Sequence, residues 1–128
     1  GDAVSFTGFI DPDHLPYYYA AADVAVVPSM WGEPFGKVVA EAMASGVPVV
    51  GSRRGAIPEL VEDNVMGKLV DNPENVDVLA QAIIDLLEDN DLRKDMGAVA
   101  RFKAEREFAT GVRLQRLRKF YKGLEATG

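Results

Sequence analysis

Short apolar runs alternate with segments of helical pattern along this 128-residue chain, and this alternation restricts the fold more than any other feature. Strands are predicted near residues 4–9, 24–27, 47–51 and 68–70, and helices near 15–22, 35–45, 75–88, 91–107 and 111–124. Uninterrupted apolar runs such as residues 24–27 are typical of strands buried on both faces, and strand–helix alternation indicates βαβ units. The sequence therefore predicts an α/β fold: a Rossmann-like parallel sheet with flanking helices, followed by C-terminal helices.

Composition favours one soluble domain over residues 1–128, because the chain is long enough to bury a core and 48% of it is hydrophobic. No apolar stretch approaches the ~20 residues of a membrane span, and the start lacks a signal pattern, so we expect a cytoplasmic protein. The chain has no cysteine and one histidine, which argues against disulfides and metal clusters. A net charge of -6 argues against a nucleic-acid partner.

Residues 33–50 read EPFGKVVAEAMASGVPVV and predict an anion site at a helix start. Pro34 suits the first position of a helix, because its φ is fixed and its missing N–H is not needed there. The first-turn N–H groups, at the positive end of the helix dipole, would then stabilise a phosphate or diphosphate. These groups belong to Phe35, Gly36, Lys37 and Val38. Gly36 has no Cβ, so a ligand can approach its backbone closely.

Two carboxylates, Glu33 and Glu41, bracket this helix start. An ionised carboxylate accepts charge-assisted hydrogen bonds, so each could bind hydroxyl groups of a ligand attached to the phosphate. Alternatively, Glu33 only complements the helix dipole, and Lys37 with Glu41 forms an exposed i, i+4 pair worth roughly 0.2–0.5 kcal/mol. The spacing alone leaves both interpretations open.

Five blocks, in a fixed order, resemble one known family. They are VSFTGFI at 4–10, LPYYYAAADVAVVPS at 15–29, the run at 31–50, GAIPELV at 55–61 and MGKLV at 66–70. In this order they resemble the donor-binding part of retaining glycosyltransferases of GT-B architecture. The large "group one" family of these enzymes includes mannosyl- and glucosyltransferases and sucrose-phosphate synthases. The resemblance implies a nucleotide-diphosphate sugar as donor and no metal or other cofactor.

The resemblance also implies a role for each site residue. Glu33 would be the catalytic-site residue that contacts hydroxyls of the transferred sugar, and Glu41 would hold the ribose. The amides of Phe35, Gly36, Lys37 and Val38 would bind the sugar and diphosphate, while Phe9, Ile10 and Asp11 would line the base pocket. The acceptor would be a sugar, a lipid or a small molecule whose identity the sequence does not give.

The resemblance begins midway through the second of two Rossmann-like domains. It implies that residues 1–128 are a partial C-terminal domain, inactive alone, whose missing partner is an N-terminal acceptor domain. Four strands would leave an exposed sheet edge, which favours self-association. The alternative functions are a non-catalytic nucleotide-sugar-binding module and a protein-interaction module.

For several further side chains the resemblance implies no role. His14 is predicted to lie in a turn or cap. Trp31 either packs on a sugar ring or base or anchors its loop, and at least one of the three tyrosines at 17–19 is expected in the core. Arg53 and Arg54 are either solvated or bind an anion. The basic C-terminal stretch from residue 101 to 122 predicts amphipathic helices, whose basic face is either solvated or in contact with anionic lipid at the cytoplasmic membrane face.

Overall fold

The computed structural model describes residues 3–30 and 36–107. Eight elements follow one another in these ranges: α1 (Leu15–Ala21), β1 (Ala25–Val27), α2 (Lys37–Ala44), β2 (Val49–Ser52), α3 (Ile57–Leu60), β3 (Gly67–Val70), α4 (Val76–Leu87) and α5 (Asn90–Glu107). The predicted alternation of strands and helices is confirmed from residue 15 onward, with one further short helix, α3, that was not predicted. The predicted helix at 111–124 lies outside the described residues.

The three strands form one parallel sheet in the order β1-β2-β3. Ala25 pairs with Val49 at the start of the first ladder, and Val49 in turn pairs with Gly67 in the second. Parallel neighbours require a crossover connection, which α2 and α3 supply. The carboxyl ends of β1 and β2 therefore lie at the same edge of the sheet, where ligands bind in open parallel sheets.

The central strand β2 is buried on both faces, as its apolar run predicts. Val49 belongs to one core cluster, which α2, α3 and the second half of α5 supply with residues including Met43 and Ile57. Val50 belongs to a second cluster, in which Leu86 of α4 packs with other buried side chains. Helices thus cover both faces of the sheet.

The backbone of α5 lies in direct contact with the backbone at the end of α2. A Cβ placed on Gly97 would overlap the carbonyl oxygen of Gly46, the residue that turns the chain after α2 with φ +73°. Only a residue without a side chain permits this contact, so Gly97 sets how closely α5 packs against α2.

The predicted strand at 4–9 does not form, so the described sheet has three strands instead of four. Val4, Phe6 and Phe9 are 64%, 96% and 89% exposed. A strand needs a neighbour to accept and donate its ladder hydrogen bonds, and none lies beside this segment in the described part of the chain. The apolar pattern alone therefore predicted a strand that has no partner here.

The basic C-terminal stretch enters the description only through its first residues. Lys103 donates to the carbonyl of Leu60 at 2.9 Å, and Arg101 pairs with Glu105 at 3.5 Å. Within residues 3–30 and 36–107, no helix is both long and apolar enough to span a bilayer.

Candidate functional site

The loops that follow β1 and β2 are joined by two hydrogen bonds. The buried hydroxyl of Ser52 donates to the carbonyl of Ser29 at 2.6 Å, and the guanidinium of Arg54 donates to the carbonyl of Met30 at 3.0 Å. These bonds hold the two loops together at one edge of the sheet. The contacts fix the chain immediately before Trp31, Glu33 and Phe35, which lie outside the described residues.

Arg54 and Arg53 are therefore partnered, and neither is simply solvated. Arg54 also pairs with Glu74 at 3.5 Å, while Arg53 pairs with Asp71 at 2.7 Å and with Asp63 at 3.2 Å. Their side chains remain partly exposed. These carboxylates already use the guanidinium groups, so we assign neither arginine to an anion.

The helix α2 begins at Lys37, two residues after the predicted start. Gly36 precedes it in the left-handed conformation, with φ 60° and ψ 31°, so Gly36 itself cannot be helical. The first hydrogen bond of the helix runs from the N–H of Ala40 to the carbonyl of Gly36 at 2.8 Å. The N–H groups of Lys37 and Val38 precede that bond and have no acceptor inside the helix.

The structure gives a different reason for a glycine at position 36 than access for a ligand. Gly36 is buried, and a Cβ there would overlap the side chain of Leu60 in α3. The positive φ favours glycine whether or not a ligand is bound, and a Cβ would also require the Leu60 side chain to shift. Its backbone role in anion binding stays a prediction.

Glu41 is half-buried in the second turn of α2, and its carboxylate interacts electrostatically with the hydroxyl of Tyr19 in α1. Burial raises the pKa of Glu41, whereas the charge of Lys37 and the Tyr19 hydroxyl act in the opposite direction. Burial, and then the Glu41 carboxylate, raise the pKa of Tyr19. The interpretation of Glu41 as one half of an exposed surface pair is therefore wrong.

The three residues predicted to bind the base line an open cavity of about 350 Å³. Phe9, Ile10 and Asp11 share this cavity with Thr7, His14, Tyr17 and Tyr18. The Asp11 carboxylate accepts from the N–H of Asp13 at 2.9 Å, and the Asp11 carbonyl accepts from the N–H of His14 at 2.8 Å. His14 stands at the N-cap of α1, which confirms its predicted place in a turn or cap.

Residues 1–102 match the family model of glycosyl transferases group 1. The chain belongs to this family. Among known relatives, this chain is 38% identical to spore coat protein SA of Bacillus subtilis, and the match covers 84% of this chain and 28% of that protein. It is 37% identical to a GDP-mannose-dependent alpha-(1-6)-phosphatidylinositol monomannoside mannosyltransferase of Mycobacterium tuberculosis, covering 98% of this chain and 34% of that protein. The chain thus spans about a third of the length of these relatives.

Solved glycosyltransferase structures show the same fold. Sucrose-phosphate synthase from Thermosynechococcus elongatus matches with a TM-score of 0.82 and 39% identity over 100% of this chain and 32% of that one. Anabaena HepE, solved in complex with UDP and glucose, matches with a TM-score of 0.78 and 32% identity over 96% of this chain and 32% of that one. The predicted fold, the C-terminal part of a GT-B glycosyltransferase, is confirmed.

Tyr19 is the neighbour of Glu41 that sequence reasoning missed. The three consecutive tyrosines at 17–19 carried no pattern that singled out one of them. The structure separates them, because Tyr17 and Tyr18 line the open cavity whereas Tyr19 packs against the core cluster of Val49. The expectation that at least one tyrosine belongs to the core is confirmed by Tyr19.

Proposed function

We propose that this chain carries part of the donor site of a retaining glycosyltransferase that uses a nucleotide-diphosphate sugar. The observation that carries the proposal is the half-buried carboxylate of Glu41, one turn inside a helix that begins at the carboxyl edge of the sheet. Burial opposes the ionisation of this carboxylate, so the side chain contributes little to stability. A binding role therefore explains its position better.

The proposed roles follow the geometry of α2. The first amides of the helix, at Lys37 and Val38, would bind the diphosphate together with the backbone of Gly36 and Phe35. Glu41 would accept hydrogen bonds from ribose hydroxyls, and the cavity of Phe9, Ile10 and Asp11 would take the base. Glu33 would orient the transferred sugar. The hydrogen bonds from Ser52 and Arg54 to the loop after β1 support this arrangement, because they fix the chain that leads to Glu33.

The relatives support a nucleotide donor but differ in its base. HepE was solved with UDP and with UDP-glucose, whereas the mycobacterial relative is GDP-mannose-dependent. Titration with both nucleotides is therefore needed to determine which base and which sugar this chain binds.

In the transfer itself, the bond between the anomeric carbon and the diphosphate breaks, and the acceptor hydroxyl oxygen bonds to that carbon with retained configuration. The acceptor proton leaves to the diphosphate or to solvent. Amides at the start of α2 would stabilise the negative charge that develops on the leaving diphosphate. We propose that no metal takes part, and that an N-terminal acceptor domain supplies the remainder of the site and the acceptor.

Titration calorimetry with UDP, GDP, ADP and their sugar conjugates tests the proposal. We expect selective binding that Glu41→Ala weakens at least about tenfold, because a hydrogen bond to a charged group contributes roughly 1.5–3 kcal/mol. The control is Glu105→Ala, which removes an exposed carboxylate from α5. Equal affinity of wild type and Glu41→Ala would contradict the assignment, and no binding by the folded chain would favour a protein-interaction module.

Binding without transfer by this chain would agree with a partial donor site and equally with a non-catalytic nucleotide-sugar-binding module. An assay that supplies an acceptor domain of a relative in trans distinguishes the two. Restored sugar transfer would support the enzyme, whereas a chain that binds donor but never supports transfer would support the module. Cytoplasmic location and contact with a membrane surface remain predictions.

A further inference from the structure

Arg54, in the loop after β2, connects the loops that follow all three strands at the carboxyl edge of the sheet. Its Nη1 donates to the carbonyl of Met30, after β1, at 3.0 Å. Its Nη2 pairs with the carboxylate of Glu74, after β3, at 3.5 Å. The two contacts use different nitrogens of one planar guanidinium, so each restricts the orientation that the other allows. Arg54 therefore fixes the loop after β1 relative to β2 and β3.

The segment that begins at Arg54 also contacts the chain on the other side of residues 31–35. The side chain of Leu60 packs so closely on Gly36 that a Cβ there would require it to shift. Met30 and Gly36 are the described residues that flank residues 31–35. One flank is thus held by a hydrogen bond from Arg54 and the other by packing against Leu60. Fixing both ends of a short stretch of chain reduces the conformations open to it.

We propose that Arg54 is a positioning residue for the sugar of the donor: it fixes Met30, three residues before Glu33, and thereby limits where the Glu33 carboxylate can lie. This inference rests on the proposed function, because it takes Glu33 as the residue that contacts the transferred sugar. It goes further by making recognition of the sugar, and not of the nucleotide, depend on a contact between the loops after β1 and β2.

The nucleotide part of the donor should not depend on Arg54. The proposed diphosphate and ribose contacts come from the first amides of α2 and from Glu41, and α2 begins directly after Gly36. This flank is packed by the side chain of Leu60, which remains when the guanidinium is removed. Loss of Arg54 should therefore weaken binding of the sugar more than binding of the nucleotide.

The contact from Arg54 adds to a second hydrogen bond in the same loop. The buried hydroxyl of Ser52 donates to the carbonyl of Ser29 at 2.6 Å. Removal of the guanidinium leaves that bond in place and, in the loop after β1, releases the carbonyl of Met30. A loop that is fixed before the ligand arrives loses less conformational freedom on binding, so the bond from Arg54 should increase affinity for the sugar.

The first experiment is calorimetry of the full chain with two ligand pairs, UDP with UDP-glucose and GDP with GDP-mannose. The measured quantity is the dissociation constant of the sugar conjugate divided by that of its diphosphate, for the pair that binds more tightly. We expect Arg54→Ala to raise this ratio about three- to tenfold and to change diphosphate affinity less than about twofold. A merely structural role would weaken both ligands equally and leave the ratio unchanged.

Arg53→Ala is the matched control, because it removes the neighbouring arginine and the same charge. The guanidinium of Arg53 pairs with Asp71 at 2.7 Å and with Asp63 at 3.2 Å, on either side of β3, instead of with the loop after β1. We expect Arg53→Ala to keep the wild-type ratio. In a Glu33→Gln background, Arg54→Ala should raise the ratio no further, because Arg54 acts through Glu33.

Glu74→Ala is a second variant that tests the same contact. Urea unfolding shows whether each variant is folded, and Glu74→Ala carries the test if Arg54→Ala does not fold. It keeps the Arg54 side chain and removes the carboxylate that orients the guanidinium. We expect the ratio to rise about twofold, a smaller effect than that of Arg54→Ala, since a partly exposed ion pair contributes little. An unchanged ratio in both variants would overturn the inference.

The outcomes distinguish this inference from the function on which it rests. If Glu33→Gln raises the ratio but Arg54→Ala does not, the positioning role is wrong and the donor site stands. An equal rise from Arg53→Ala, or a further rise from Arg54→Ala in the Glu33→Gln background, would also overturn it. If Glu33→Gln leaves the ratio unchanged, the proposed role of Glu33 fails and this inference fails with it. If the folded wild type binds no nucleotide, the proposed function fails as a whole.

Discussion

At the scale of single residues, Glu41 lies where burial disfavours its ionised form. Burial raises its pKa above the ordinary value of 4.5, and neither Lys37 nor the Tyr19 hydroxyl fully offsets that burial. Desolvation of a charged group lowers stability unless partners compensate. The residue is therefore better explained by ligand binding than by folding.

The pH dependence of stability should show this cost. Because the pKa of Glu41 is higher in the folded than in the unfolded protein, the folded state binds more protons between the two values, and the free energy of unfolding falls as the pH rises through that window. We expect Glu41→Gln to gain stability relative to wild type from pH 4 to pH 8, as measured by urea unfolding. Glu105→Gln, the same charge change at an exposed position, is the control. If the gain in stability of Glu41→Gln over wild type shrinks with rising pH, the raised pKa of Glu41 is contradicted.

At the scale of elements, α2 is held at both ends by other helices. Its start is fixed by Gly36, beside which Leu60 of α3 packs, and its end by the contact of Gly46 with Gly97 of α5. These contacts set the direction in which the first amides of α2 point. The anion site thus depends on packing that lies far from it along the chain.

Gly97→Ala tests the packing of α5 on α2. Alanine favours a helix by about 1 kcal/mol over glycine, but here its Cβ would overlap the backbone of Gly46. We expect a net loss of about 1–3 kcal/mol in the free energy of unfolding, typical of overpacking. The exposed neighbour Ala98, changed to glycine, calibrates the local helix propensity. A Gly97→Ala protein more stable than wild type would show that the helices do not approach so closely.

At the scale of the whole molecule, the described sheet ends at β1 on one side. Val26, in the middle of this strand, is 40% exposed, and the apolar segment at 4–9 lies unpaired nearby in sequence. Exposed apolar edges pair readily with other chains. Self-association through this edge stays a prediction.

Val26→Lys tests that prediction, since a charged side chain on an edge strand disfavours edge-to-edge pairing. We expect the mass measured by analytical ultracentrifugation to rise with concentration for wild type and to remain monomeric for Val26→Lys. Val99→Lys adds the same charge at a comparably exposed position on α5 and should behave like wild type. A wild type that is monomeric at all concentrations would contradict association through the edge.

The fold was largely predictable, whereas the site was predictable only in part. Buried runs such as that of β2 and the ordered blocks predict the parallel sheet and most element bounds, because apolar periodicity is local. The start of α2 was placed two residues early, since Pro34 suits a helix start but the left-handed Gly36 interrupts it. Glu41 was singled out by its spacing and given a role by the family resemblance, but its neighbour Tyr19 was not singled out.

The sequence by itself determined the α/β class, the family and the candidate carboxylates, because each is written in neighbouring residues or in the order of blocks. Only the tertiary structure decided that the 4–9 segment forms no strand, that Arg54 donates to the carbonyl of Met30 and that Tyr19 lies close enough to Glu41 to interact with its charge. The two residue pairs are 22 and 24 positions apart in the sequence. The 4–9 segment forms no strand because no neighbouring strand lies beside it in the described part of the chain. Local periodicity carries no information about such pairs, since the packing of separate elements creates them.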